Sequence, residues 1–313
     1  MNAIKLTTPG NVDQLQYIEI EKPKPKEGEV LIKTKALSIN PVDVKTRMGK
    51  GVYGRIKENE PLIIGWDVSG IVEEIGSGVT TFKVGDEVFG MINFPGHGKA
   101  YAHYVAAPIE HIAFKPVSVS HQEAAAATLA ALTAWQVLAT HANVQPNQKV
   151  LIHAAAGGVG HYAVQVAKHL GAYVIGTSSA AKRDFVLSLG ADQHIDYTTQ
   201  KFEHVVTDAD LVFDTVGGDI FARSLDAVKP NGLVISIPTG MSGDIEAAAK
   251  AKGVRAKAML VQSSAADMAI IADLLQSEKI KSHIAQAYPY AKMKDAHTEL
   301  EKGKTTGKII ITV

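Results

Sequence analysis

The chain has 313 residues, enough for two domains of ordinary size with a substantial buried core. Lys+Arg and Asp+Glu both total 32, so the formal charge is +0 and nothing draws the chain in bulk to nucleic acid or to an acidic membrane surface. Cysteine is absent, which excludes disulfides, thiolate catalysis and cysteine-ligated zinc together.

The N-terminus shows no charged stretch leading into an apolar one, so no secretory signal is read there and a cytoplasmic location is expected. About the first hundred residues read as short strands broken by turns. Examples are Glu29–Lys35, Gly70–Ile75 and Glu87–Met91, punctuated by Pro23, Pro25, Gly28, Gly65, Gly76, Gly78 and Gly85. Near Ser120 the texture changes to alternating helices and strands, as in a doubly wound parallel sheet. Ala124 to Ala142 lacks Lys, Arg, Asp and Glu, yet its alanines and Thr128, Thr133, Gln136, Thr140 and His141 make it too weakly apolar for a membrane span. It reads as a buried helix.

The segment Lys149–Leu170 is the most informative. Val150 to Ile152 supply a strand and Gly157, Gly158 and Gly160 a turn, while Val159, Ala163, Val166 and Leu170 recur at helical spacing. Against the dinucleotide fingerprint G-x-G-x-x-G, Ala155 stands at the first glycine and Gly157 and Gly160 at the other two. Ala172–Thr177 follows as a second strand, completing a βαβ unit of roughly 30 residues in which helix-start N–H groups face a pyrophosphate.

At the end of that second strand an NAD enzyme usually places Asp or Glu to bond the ribose 2′-hydroxyl. Here stand Thr177, Ser178 and Ser179, with Lys182 and Arg183 just beyond. Hydroxyls and cations satisfy a 2′-phosphate that a carboxylate would repel, so NADP(H) is the expected cofactor. Further strands follow at Leu211–Asp214 and Leu233–Ile237, then helices at Ala265–Gln276 and Ala291–Lys302. A last strand, Lys308–Val313, has no helix after it and is free to pair back with the β-rich N-terminal region.

Six ordered blocks carry a resemblance over almost the whole chain: Ser38–Lys45, Gly65–Gly70, Val84–Val88, Leu132–Trp135, Ala154–Gly160 and Thr306–Ile309. Together they resemble the medium-chain dehydrogenase/reductase superfamily, in its zinc-independent quinone oxidoreductase branch. The resemblance implies an α/β fold in which a Rossmann-type doubly wound parallel sheet domain, residues 121–284, is inserted in a β-rich GroES-like domain made of residues 1–120 plus about 285–313. Zinc members of the superfamily carry a Gly-His-Glu segment where this chain has Gly65-Trp66-Asp67, and the twelve histidines show no ligand spacing. No metal is expected.

The resemblance implies NADPH-dependent hydride transfer to a quinone or to the carbon–carbon double bond of an α,β-unsaturated carbonyl, acceptors that need no Lewis acid. Gly157, Gly158, Val159 and Gly160 match the pyrophosphate turn; Ser178, Lys182 and Tyr197 match the 2′-phosphate positions, beside Arg183. Asn40 and Thr133 match residues beside the nicotinamide, and Val216 and Ile237 match positions whose backbone fixes the carboxamide. Asn40 before Pro41 also reads as a turn cap, and Tyr197 as an ordinary strand aromatic.

Tyr53, and after it Trp66 and Tyr101, are candidates to line an aromatic pocket against a flat acceptor, each reading alternatively as core, and Tyr53 is the candidate for a proton relay. Asp43 and Asp86 read as turn or capping residues rather than bases. The expected partner is the small-molecule acceptor alone, with no nucleic acid and no membrane, and with dimerisation through the nucleotide-binding domain as the family norm. A second reading has the chain bind NADPH without turnover, as an interaction or RNA-binding protein.

Overall fold

The computed structural model describes residues 1–238 and 240–313. The chain forms two compact units, one made of Met1–Leu132 and Val261–Val313, the other of Thr133–Leu260 inserted between them in sequence. The sequence texture puts the corresponding changes near residues 120 and 285.

In the discontinuous unit the strand Glu29–Ile39 organises a seven-stranded sheet. Along one edge its first half pairs antiparallel with Tyr104–Pro108 and its second half with the terminal strand Lys308–Thr312, while Asp67–Ile75 runs along the other edge. Register shifts between Leu31 and Ile32 and between Thr34 and Ala36 bend this long strand. The terminal strand thus returns to the N-terminal region, with Ile310 opposite Ser38, and also pairs parallel with Ile284–Pro289.

Ser120 and Glu123 cap the helix His121–Ala126 reciprocally, the serine hydroxyl taking the Glu123 N–H at 3.2 Å and the carboxylate the Ser120 N–H at 2.9 Å. Its Ala125 and Ala126 pack on Ala36 and Ile310. The apolar run read as one helix is in fact three pieces: His121–Ala126, Leu129–Trp135 and a π-helical turn at Gln136–His141. The first break has a local cause. Thr128 Oγ1 donates to the Ala125 carbonyl at 2.8 Å, and the Leu129 N–H goes to Asp67 Oδ1 at 3.1 Å instead of continuing the helix.

The inserted unit is a six-stranded, all-parallel sheet in the spatial order Gln193–Asp196, Tyr173–Ser178, Lys149–Ile152, Ala209–Asp214, Val228–Ser236, Arg255–Ala258. The chain winds outward one way from Lys149–Ile152 and then the other way, which is the Rossmann order. Val150, Leu151, Ile152, Val174, Val212 and Val234 are buried, as expected when helices cover both faces of a parallel sheet. Ligands bind such sheets at the carboxyl ends of the strands where the winding reverses, here between Lys149–Ile152 and Ala209–Asp214. Among the described residues no helix is long and apolar enough to cross a membrane.

Candidate functional site

The glycine turn lies at that reversal. Ala154 takes a left-handed backbone (φ 47°), and its carbonyl accepts the Gly157 N–H at 2.8 Å. A Cβ on Gly160 would stand 2.2 Å from the Ala154 oxygen and 2.8 Å from Ala155 Cα, so only glycine lets the helix Gly160–His169 start this close to the strand end. The methyl of Ala155, where the fingerprint has glycine, is accommodated from the neighbouring strand, because a Cβ on Gly176 would come within 2.8 Å of it. Among the described residues the N–H groups of Gly158, Val159 and Gly160 meet no acceptor in the chain, leaving donors at the positive end of a ten-residue helix. His161 Nδ1 lies 2.9 Å from the Gly157 carbonyl and ties the helix to its turn. Beneath it His153 sits between Thr177 Oγ1 at 3.2 Å and Ser224 Oγ at 3.1 Å; burial pushes its pKa down to about 4, so it is neutral.

Ser178, Lys182, Arg183 and Tyr197 are brought to one end of the two strands Tyr173–Ser178 and Gln193–Asp196. Ser178 closes the first strand, Lys182 ends a 3-10 turn, Arg183 opens the helix Arg183–Ser188, and the Tyr197 N–H donates to the Ser178 carbonyl at 3.2 Å. Ser178 is buried, the Tyr197 ring is exposed, and partial burial lowers the Lys182 pKa. His194 joins this group unannounced by any motif: its Nε2 lies 2.8 Å from Ser178 Oγ.

Val216 and Ile237 follow the carboxyl ends of Ala209–Asp214 and Val228–Ser236. Their N–H groups are already spent, Val216 on the buried carboxylate of Asp214 at 2.8 Å and Ile237 on the Asp214 carbonyl at 3.1 Å. Only the two carbonyls remain to face a ligand. Asp214 also takes the Gly217 N–H at 2.8 Å and the Ser236 hydroxyl at 2.7 Å, so one carboxylate shapes the whole loop. Thr133 is buried on the helix Leu129–Trp135.

In the discontinuous unit Asn40 ends the strand Glu29–Ile39 and heads the helix Pro41–Arg47. Its Nδ2 donates to Asp67 Oδ2 at 2.7 Å, and its Oδ1 accepts from Lys308 Nζ, which also donates to the Ile39 carbonyl at 3.2 Å. Asp43 Oδ2 takes the Asn40 N–H at 2.5 Å, the reciprocal bond of a capping box at the start of this helix. Asn40, Asp43, Asp67 and Lys308 are all buried. Burial, reinforced by the neighbouring Asp67, pushes the Asp43 pKa up to about 8; burial also raises Asp67 and lowers Lys308.

Tyr53 is half-buried at the start of the short helix Tyr53–Ile56, with no hydrogen bond from its hydroxyl within the described chain. Trp66 and Tyr101 are core residues. The Trp66 indole donates to the Gly96 carbonyl at 2.7 Å and meets Phe94 edge-on, and the Tyr101 hydroxyl pairs with His297 Nε2 at 2.8 Å. Asp86 takes the Lys83 N–H at 2.9 Å, a turn role.

A zinc ion does not fit these residues. The histidine position of the zinc enzymes holds an indole that has only a donor to offer, both Asp67 oxygens are occupied by N–H donors, and no cysteine exists. Among the described residues no group of three His, Asp or Glu side chains could hold a metal.

Sequence reasoning missed His194, Asp214 and Lys308 as participants. Lys308 did leave a signal, a lysine opening the otherwise apolar strand Lys-Ile-Ile-Ile.

Two family models match the chain: an alcohol dehydrogenase GroES-like domain over residues 26–117 and a zinc-binding dehydrogenase over residues 189–311. A 2-methylene-furan-3-one reductase of Solanum lycopersicum is 36% identical over 321 residues, covering 99% of this chain and 79% of the relative. The solved quinone oxidoreductase from Coxiella burnetii superposes with a TM-score of 0.94 at 38% identity, over 100% of this chain and 99% of that one. The Escherichia coli quinone oxidoreductase complexed with NADPH gives 0.89 at 30% identity, over 100% of both chains.

Proposed function

The chain belongs to the medium-chain dehydrogenase/reductase superfamily, in its quinone-oxidoreductase-like branch, and from that premise we propose that it reduces a quinone or the carbon–carbon double bond of an α,β-unsaturated carbonyl at the expense of NADPH. It is an oxidoreductase and its cofactor is NADP(H). Bound NADPH supplies the hydride; the protein supplies binding, orientation and electrostatics. The unaccepted N–H groups of Gly158, Val159 and Gly160 hold the pyrophosphate, with Gly157 giving the turn. Lys182 and Arg183 with Ser178 and Tyr197 form the 2′-phosphate subsite, and the carbonyls of Val216 and Ile237 accept from the carboxamide. The family resemblance assigns Asn40 and Thr133 to the nicotinamide and Tyr53 to the acceptor, and these assignments are part of the proposal.

The observation that carries the acceptor class is the fate of Trp66 and Asp67. With an indole donor and a fully occupied carboxylate where a Lewis acid would be held, the favoured acceptors delocalise negative charge by themselves. An NADPH-oxidation screen across quinones, enones, alkenals and saturated ketones, with and without a chelator, tests this. Turnover of the conjugated acceptors alone, unchanged by chelator, is expected; saturated-ketone reduction that vanishes with chelator would refute it. Tyr53→Phe with unchanged turnover on every acceptor would remove the phenol from proton relay. The proposed compartment is the cytoplasm and the proposed assembly a homodimer, which cell fractionation and sedimentation test.

A further inference from the structure

His194 lies in the group of side chains assigned above to the 2′-phosphate, on the strand Gln193–Asp196 next to Ser178. The Ser178 hydroxyl stands 3.1 Å from the Ser179 carbonyl, to which it can only donate, and 2.8 Å from His194 Nε2. With its one hydrogen on the carbonyl, Ser178 Oγ accepts from the imidazole, so the neutral ring carries its proton on Nε2 and a lone pair on Nδ1. Nδ1 makes no hydrogen bond to the described chain, and the ring is half-buried while Ser178 is covered. Of this pair, the histidine is the more exposed member and the one that keeps a ring nitrogen open toward a ligand.

We propose that His194 is a specificity-determining residue of the 2′-phosphate subsite, accepting a proton on Nδ1 as the phosphate arrives and donating it to a phosphate oxygen. The proposal rests on the NADP(H) reading of that subsite. A lone pair on Nδ1 repels a phosphate oxygen, whereas an imidazolium offers a charge-assisted donor, so proton uptake and phosphate binding are linked. The charged groups around the ring set the range in which this occurs. Arg183, at the head of the preceding helix, disfavours the imidazolium and Asp196, on the same strand, favours it; burial outweighs both and holds the free imidazole below its ordinary pKa. Asp196 is itself engaged with the Thr198 N–H and hydroxyl at 3.0 and 2.8 Å and with the Thr199 hydroxyl at 3.2 Å. Near neutral pH the free ring is therefore uncharged and must take up a proton on binding.

The test is fluorescence titration of NADPH and NADH at about pH 6 and about pH 8, for wild type and His194→Gln, together with calorimetry in two buffers of different ionisation enthalpy. The dianionic phosphate itself begins to protonate near pH ~6, which weakens binding in both proteins and leaves the difference between them to His194. Wild type is expected to gain about fivefold in NADPH affinity relative to His194→Gln on going from pH 8 to pH 6, with NADH unaffected, and to take up part of a proton that the variant does not. If His194→Gln keeps the wild-type pH slope and proton uptake while both proteins prefer NADPH, the role of His194 is overturned and the subsite reading survives. If wild type binds NADPH no better than NADH at either pH, both fall. Circular dichroism of the variant excludes a folding defect as the cause of lost binding.

Discussion

Asp43→Asn probes the buried polar cluster with almost no change of shape. Asp43 is fully covered, its Oδ2 takes the Asn40 N–H and its Oδ1 has no hydrogen-bond partner among the described residues. An asparagine oxygen keeps the first bond, and its amide occupies the place of the acid's proton. In the folded chain the carboxyl is pushed up to about 8, mainly by burial and then by Asp67, against an ordinary value near ~3.9 when unfolded. Between those values the native state holds a proton that the unfolded state has released. Stability from this group is therefore complete below about pH 4 and is lost as pH rises toward about 8, at up to ~1.4 kcal/mol per pH unit. From pH 5 to pH 7 the wild type should lose up to about 2.7 kcal/mol that Asp43→Asn does not. Urea unfolding of both proteins in steps from about pH 5 to about pH 8 reads the difference directly. A gap between the two that does not widen with pH would show that Asp43 is ionised throughout, and the account of this cluster would fail.

Lys308→Met leaves the buried Asp67 carboxylate without its cation and Asn40 Oδ1 without its donor, so a loss of about 3–5 kcal/mol is expected by urea unfolding. Adding Asp67→Asn should recover part of that loss, and strictly additive single effects would contradict the coupling. Gly176→Ala puts a methyl where Val186 Cγ1 would be 2.7 Å and Ala155 Cβ 2.8 Å away, so thermal stability should fall by roughly 1–3 kcal/mol; Ala155→Gly in the same chain should restore part of it. Lys182→Ala with Arg183→Ala should weaken NADPH binding roughly tenfold or more and leave NADH unchanged, which equilibrium titration with both nucleotides measures.

The nucleotide-binding half was legible because its chemistry is local. A strand, a glycine turn and an amphipathic helix lie within Lys149–Leu170, and backbone geometry over so short a stretch is dictated by which residues lack a side chain. The same locality made Ser178, Lys182 and Arg183 readable as a corner for phosphate, since they follow one another directly after a strand. It also gave Asp43 and Asp86 their turn roles, each confirmed by a bond to a backbone N–H three residues away.

What the fold alone decided joins residues far apart in sequence. Lys308 reaches Asn40 across 268 positions because the terminal strand pairs with Glu29–Ile39, and no periodicity announces that register. The single intended helix over Ala124–Ala142 breaks because Asp67, 62 residues earlier, captures the Leu129 N–H. His194 meets Ser178 only because the winding of the sheet lays their strands side by side. Spacing along a chain determines which backbone groups are left open; burial and strand pairing determine which side chains are forced to share a proton, and that is a property of three-dimensional neighbours.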